Sequence, residues 1–238
     1  MAVLQGLACL IIKTLVCQCE GNTAEQRPLE SATEKAVNEL AWADSISAIT
    51  GIAYGPYFYD PSCPIGYSAD CDTLYYYPRD SPAMHFTIPE TVQFIDDRAF
   101  QCNKHLVEIT LPLGVRKIGV CSFYGCAELR KVIIEGPVSS IPWRAFDGCR
   151  KLQTVDLPAS VGFVGGLSFS DCENLRTVII RNPEPPHFEC EDDPEDFETM
   201  GAFIDTDLSR CTLYVPQGSV EAYRQVSGWN RFKHIRSL

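Results

Sequence analysis

No stretch of this 238-residue sequence is long and apolar enough to span a bilayer. The best candidate, residues 1–19 (MAVLQGLACLIIKTLVCQC), is interrupted by Lys13 and falls short of the ~20 apolar residues a spanning helix needs. Positive charge is scarce: 20 Lys and Arg stand against 31 Asp and Glu, for a net charge of -11. A chain so acidic is not drawn to phosphate backbones or anionic lipid, so nucleic acid is excluded as a natural partner. The sequence has no P-loop, no G-x-S-x-G and no H-E-x-x-H, the patterns that place a phosphate, a nucleophile or a zinc ion. Its four histidines, His85, His105, His187 and His234, lack a Ser, Cys or Asp at a spacing that would make a nucleophile. These absences point to a non-catalytic chain without a cofactor or metal. The 12 cysteines are about 5% of the residues, too few for a scaffold built on disulfides.

What the sequence does have is a period. Between residues 83 and 181 it repeats every 23 residues. Phe100, Phe123, Phe146 and Phe169 form one column; Ile95, Ile118, Ile141 and Val164 a second; Leu106, Leu129, Leu152 and Leu175 a third. Two more columns follow, Ile109, Val132, Val155, Val178 and Leu111, Ile134, Leu157, Ile180. A fixed period of this length marks a solenoid, whose single repeat cannot bury its own apolar face. Within each repeat the pattern L-x-x-[IV]-x-[LI] sets two apolar residues two apart, hence on one face of a strand. Pro112 and Pro158 follow the strand and stop it, because proline cannot donate to a ladder. Val115 and Val161 then turn inward. Cys126, Cys149 and Cys172 form a further column, read as small buried residues, since a line of thiols one rung apart is not a tetrahedral metal site. Asn103 takes that place in the first repeat.

The ends of the chain differ from its middle. Residues 1–20 are read as an atypical export signal or as an apolar helix of the mature protein. Residues 21–73 are read as an N-terminal cap. Within it, Ser31 and Glu34 have capping-box spacing and start a helix over residues 32–43, extending toward Ile49. A Tyr-, Pro- and Gly-rich part of loops and short strands follows, with 74–77 the best strand. Cys63 and Cys71 are either a disulfide or two free thiols. Residues 74–238 form the repeat domain. Its period fails after Ile180, where an insertion (183–200) carries eight carboxylates, and Ala202-Phe203 reads as a displaced copy of Ala145-Phe146. Residues 213–238 make a C-terminal cap: a strand at 213–215, a short helix with Ser219 as N-cap, and Trp229, Phe232 and Ile235 closing the stack.

The motif I-x-L-P-x-x-V-x-x-I-x-x-x-[AS]-F-x-x-C-x-x-L, carried almost whole by residues 109–129 and 155–175, resembles the BspA-like leucine-rich repeat family of bacterial surface proteins. The resemblance covers roughly residues 74–238. It implies a right-handed, mostly β solenoid with parallel strand rungs and short turns, in a secreted or cell-surface protein that binds other proteins, including host or matrix proteins.

Solenoid sheet faces are extended binding surfaces. The outward strand positions form two ladders: His85, Glu108, Lys131, Thr154 and Thr177, and beside them Thr87, Thr110, Ile133, Asp156 and Ile179. Glu108, Thr110, Lys131, Ile133, Thr154, Asp156, Thr177 and Ile179 are the candidate binding residues. Ile133 and Ile179 are apolar where water is expected, and the opposite charges of Lys131 and Asp156 would orient a partner. The alternative is a structural spacer whose sheet face holds β-formers for propensity alone. The third reading is an enzyme with its chemistry in residues 1–80. The carboxylates of residues 189–198 lack the spacing of a calcium loop and read as a solvated acidic loop.

Overall fold

The computed structural model describes residues 57–60, 63–188 and 201–238, with side chains from residue 65 onward. The apolar stretch 1–20, the helix expected over 32–43 with its pair Ser31 and Glu34, and the carboxylates of 189–198 lie outside the described residues.

The strands are β1 (Tyr57–Asp60), β2 (Cys63–Ser68), β3 (Thr73–Tyr76), β4 (His85–Thr87), β5 (Phe94–Ile95), β6 (Glu108–Leu111), β7 (Lys117–Ile118), β8 (Lys131–Ile134), β9 (Ser140–Ile141), β10 (Thr154–Leu157), β11 (Phe163–Val164), β12 (Thr177–Ile180), β13 (His187–Phe188), β14 (Thr212–Val215) and β15 (His234–Ser237). One short helix, α1 (Val220–Gln225), lies between β14 and β15. Seven strands stack in the order β15-β14-β12-β10-β8-β6-β4. Every neighbouring pair in that sheet is parallel. The register follows the period: Glu108 meets Lys131, Lys131 meets Thr154, and Thr154 meets Thr177. Alternate residues of a strand face opposite ways, so Ile109, Val132, Val155 and Val178 all point into one buried column, which Leu213 and Ile235 continue. The chain is a parallel β solenoid, each turn resting on the next.

Two further sides close each turn. On one, the two-residue strands β5, β7, β9, β11 and β13, led by the longer β1, β2 and β3, form the sheets β1-β2-β3-β5-β7 and β13-β11-β9, burying Ile95, Ile118, Ile141 and Val164. On the other, alternate amides donate to the next turn: Phe100 to Ser122, Cys102 to Tyr124, Phe123 to Ala145, Gly125 to Asp147, Phe146 to Ser168. Keeping those amides aligned requires two left-handed residues per turn. Arg98, Cys121, Arg144 and Leu167 hold one such column, at φ 52–61°. Cys102, Gly125, Gly148, Asp171 and Asp205 hold the other. Glycine takes this conformation freely, whereas for most other residues it costs roughly 1–2 kcal/mol, which the ladder of hydrogen bonds offsets.

Inside, the phenylalanine column is a stack of rings. Centroids of Phe100, Phe123, Phe146 and Phe169 are 4.8, 5.1 and 5.4 Å apart, with planes within 12°. The stack is longer than the four phenylalanines: Tyr77, one period earlier, lies on Phe100 at 4.9 Å, and Phe203, out of register, on Phe169 at 5.3 Å. Beside it, the Cys126, Cys149 and Cys172 thiols donate to the carbonyls of Phe100, Phe123 and Phe146 one turn back, at 3.0–3.4 Å. Burial pushes the Cys126 thiol up to about 12, so these sulfurs stay protonated donors. Asn103 does related work in the first repeat. Its Nδ2 donates to the Pro78 carbonyl at 2.7 Å and its Oδ1 accepts from the Leu106 amide at 2.7 Å.

At the N-terminal end the Tyr-rich segment forms short strands, as expected. β1 and β2, then β2 and β3, pair antiparallel, and β3 joins β5 in parallel with Leu74 opposite Ile95. Cys71 is in a disulfide, while the Cys63 side chain lies outside the described ones. The 23-residue period fails after Ile180, as read from the sequence, but the solenoid goes on. The turn continues through β13, where Phe188 pairs with Val164. Phe188 follows Val164 by 24 residues, one more than the period, so one extra residue falls before Phe188 and the other ten fall between Phe188 and Phe203. Finally, Ser219 stands at the N-terminus of α1 but its side chain makes no capping bond. Instead its backbone N–H donates to Pro216 and its carbonyl accepts from Tyr223.

Candidate functional site

The outer surface of the seven-stranded sheet carries the two ladders read from the sequence, and pairing extends both. The first runs His85, Glu108, Lys131, Thr154, Thr177, Thr212, His234. The second runs Thr87, Thr110, Ile133, Asp156, Ile179, Tyr214, Arg236. With strands ~4.8 Å apart, seven rungs make a face roughly 29 Å long. Glu108 and Lys131 are exposed; Thr110, Ile133, Thr154, Asp156, Thr177 and Ile179 are half-buried. All eight candidate residues lie on this one contiguous face.

Thr212, Tyr214, His234 and Arg236 had not been placed on it. Val178 to Leu213 is 35 residues and Leu213 to Ile235 is 22, so neither step keeps the period. The signal available was the strand pattern Leu213-Tyr214-Val215, which puts Tyr214 outward.

The electrostatics differ from a free row of charges. Arg181 grips Asp156 with two bonds: Nε–H donates to Oδ1 at 2.9 Å and Nη2–H to Oδ2 at 2.7 Å. That carboxylate is only 17% exposed. The bond to Asp156 also raises the Arg181 pKa. Asp156 is therefore already neutralised within the chain and is not free to orient a partner. Lys131 has no ion-pair partner among the described residues, whereas His85 lies 4.0 Å from Glu108. Among the described residues, no group of three His, Cys, Asp or Glu side chains is placed to hold a metal.

The base of the acidic insertion is clamped by the C-terminal cap. The Tyr223 hydroxyl donates to the Asn182 carbonyl at 2.8 Å, and Trp229 Nε1–H to the Pro186 carbonyl at 2.8 Å. Asn182 Nδ2 in turn donates to Val161 at 2.9 Å. Burial raises the Tyr223 pKa, so the phenol remains a donor.

Comparison with known proteins fits this geometry. Residues 75–184 match the family model for the BspA type leucine-rich repeat region, in six copies. No curated protein matches. Among solved structures, the chain is similar to a leucine rich cell surface protein from Faecalibacterium prausnitzii A2-165, with 25% identity over 63% of this chain and 39% of that one, at a TM-score of 0.50. It is also similar in fold to the pneumococcal vaccine antigen PcpA, with 17% identity, 74% and 46% coverage and a TM-score of 0.54. A leucine-rich repeat protein from T. pallidum gives 21% identity, 76% and 78% coverage and a TM-score of 0.52. The chain thus spans less than half the length of the first two.

Proposed function

Since residues 75–184 are a BspA-type leucine-rich repeat region, we propose that the chain is a non-catalytic, adhesion-type protein-binding module of an exported or cell-surface protein, and that it binds a host or matrix protein through the outer face of the seven-stranded sheet. One observation carries the reading. Ile133, Ile179 and Tyr214 share a single half-exposed column on that face, where large apolar and aromatic side chains have no core duty and suit an interface centre.

Two facts support the compartment. The similar Faecalibacterium protein is a cell surface protein, and the Cys71 disulfide is of a kind that persists in oxidising surroundings. No helix among the described residues is long and apolar enough to cross a membrane. With Asp156 neutralised by Arg181, specificity falls to shape and apolar contact, with Lys131 and Glu108 at the rim.

The test is capture of proteins from serum and extracellular matrix by the purified chain, followed by titration of the captured protein. The double variant Ile133→Ser with Ile179→Ser, checked first for an intact melt, is expected to weaken binding by about tenfold or more. Unchanged affinity in the folded variant, with binding abolished instead by neutralising Glu191, Asp192 and Asp193, would move the site to the insertion. Failure to capture any protein favours the spacer reading.

A further inference from the structure

The end of the wide sheet offers a surface unlike its face. β15 is the terminal strand of that sheet, and among the described residues no strand lies beyond it. Its partner is β14, with Thr212 opposite His234 and Val215 opposite Ser237. The Leu238 amide donates to the Val215 carbonyl at 2.8 Å. By the alternation of a parallel ladder, the backbone groups of Ile235 and Ser237 then point away from β14. Ile235 is buried, while Lys233, His234, Arg236 and Ser237 are exposed.

This edge is basic in an otherwise acidic chain. Residues 218–238 contain Arg224, Arg231, Lys233 and Arg236 and a single acidic side chain, Glu221, against a net charge of -11 for the whole. Glu221 is engaged by Arg224 at 3.6 Å. Arg231, Lys233 and Arg236 have no ion-pair partner among the described residues.

A row of unpaired N–H and C=O groups is a template for another strand. A second copy of β15 would set Lys233, His234 and Arg236 against the same residues, and like charges facing across strands repel. A strand with carboxylates has the opposite energetics. We propose that the free edge of β15 receives an extended acidic segment of another protein as an added strand. Its backbone pairs with Ile235 and Ser237, and its carboxylates lie beside His234 and Arg236 on the outer face, with Lys233 at the flank. Because Ile235 points inward, the residues between those carboxylates are apolar. The recognised pattern is acidic and apolar in alternation.

The probe is a labelled peptide of alternating Glu and Val, titrated into the full chain. The control has the same composition in two blocks, Glu then Val. The alternating peptide is expected to bind at least about tenfold more tightly than the block peptide, and to lose at least about tenfold in Lys233→Glu with Arg236→Glu. Hydrogen exchange at the Ile235 and Ser237 amides should slow on binding. Lys233→Gln with Arg236→Gln serves if charge reversal lowers the melt. The folded Ile133→Ser, Ile179→Ser variant should bind the peptide as wild type does, which separates this site from the sheet face. Equal binding of both peptides without added amide protection would overturn strand addition in favour of charge alone. A concentration-dependent dimer lost in the double variant would assign the edge to a second copy. Absence of binding would leave the cations as guards against edge pairing and would sink the proposal.

Discussion

The middle turns and the closing turn solve one packing problem with different chemistry. In the middle, Cys126, Cys149 and Cys172 each lend a thiol to a carbonyl one turn back. In the closing turn a hydroxyl stands in: Thr206 Oγ1 donates to the Phe169 carbonyl at 2.8 Å and accepts from the Cys172 amide at 3.1 Å. The middle thiols supplement carbonyls that the Cys126 and Cys149 amides already reach, whereas Thr206 is inserted between its two partners. The period thus preserves a geometric role, and the residue filling it is free to change where the turn is irregular.

The largest test of the contrast is the shared ring stack. Phe146→Ala, in the centre of the stack, is expected to cost about 3–5 kcal/mol and to lower the denaturation midpoint. Hydrogen-exchange protection should fall in both flanking turns, because each repeat depends on its neighbours. An unchanged midpoint would remove Phe146 from the core.

The sharper test sets the two chemistries side by side. Thr206→Val keeps the shape but strands a buried carbonyl and a buried amide, at a cost of about 2 kcal/mol. Cys149→Ala removes one weak donor and a small volume, about 1 kcal/mol. Urea melts of the two variants decide the order, and the reverse order would mean that the thiol ladder, not the hydroxyl, is the stronger tie.

The smallest expected effect has the opposite sign. Ser122 and Ser168 have buried hydroxyls with no hydrogen-bond partner, in a column otherwise filled by Ala99, Ala145 and Ala202. Ser122→Ala and Ser168→Ala should each stabilise the chain by up to about 1 kcal/mol. A lower melting temperature would show that those hydroxyls are in fact bonded.

Most of the solenoid was legible because burial repeats. A column of Val and Ile at fixed spacing can only be stacked strands, and the inward residues from Leu106 to Ile180 could be read without coordinates. The rest hid for physical reasons. Tyr77 sits one period before Phe100 but inside a run of tyrosines, where nothing marks the one that turns inward. Phe203 was legible as a displaced copy of Phe146, but its place on the ring stack was not, because it lies 34 residues after Phe169. Arg98, Cys121, Arg144 and Leu167 take left-handed backbone without the Gly or Asn that would announce it. Of the candidate face, the eight residues were legible from strand alternation. The Asp156–Arg181 pair was not, because Arg181 lies beyond the strand on the next turn and only stacking brings it near.

The direction of the interstrand bonds has a mechanical consequence. They run along the axis from turn to turn, so tension applied between β4 and β15 loads the turns in series. Such a stack peels; it does not shear. Each turn that lets go exchanges ~4.8 Å of axial height for an extended 23-residue length, a gain of roughly 75 Å. A chain anchored at one end and bound at the other would behave as an extensible tether, yielding one turn at a time under load and restacking when the load is released.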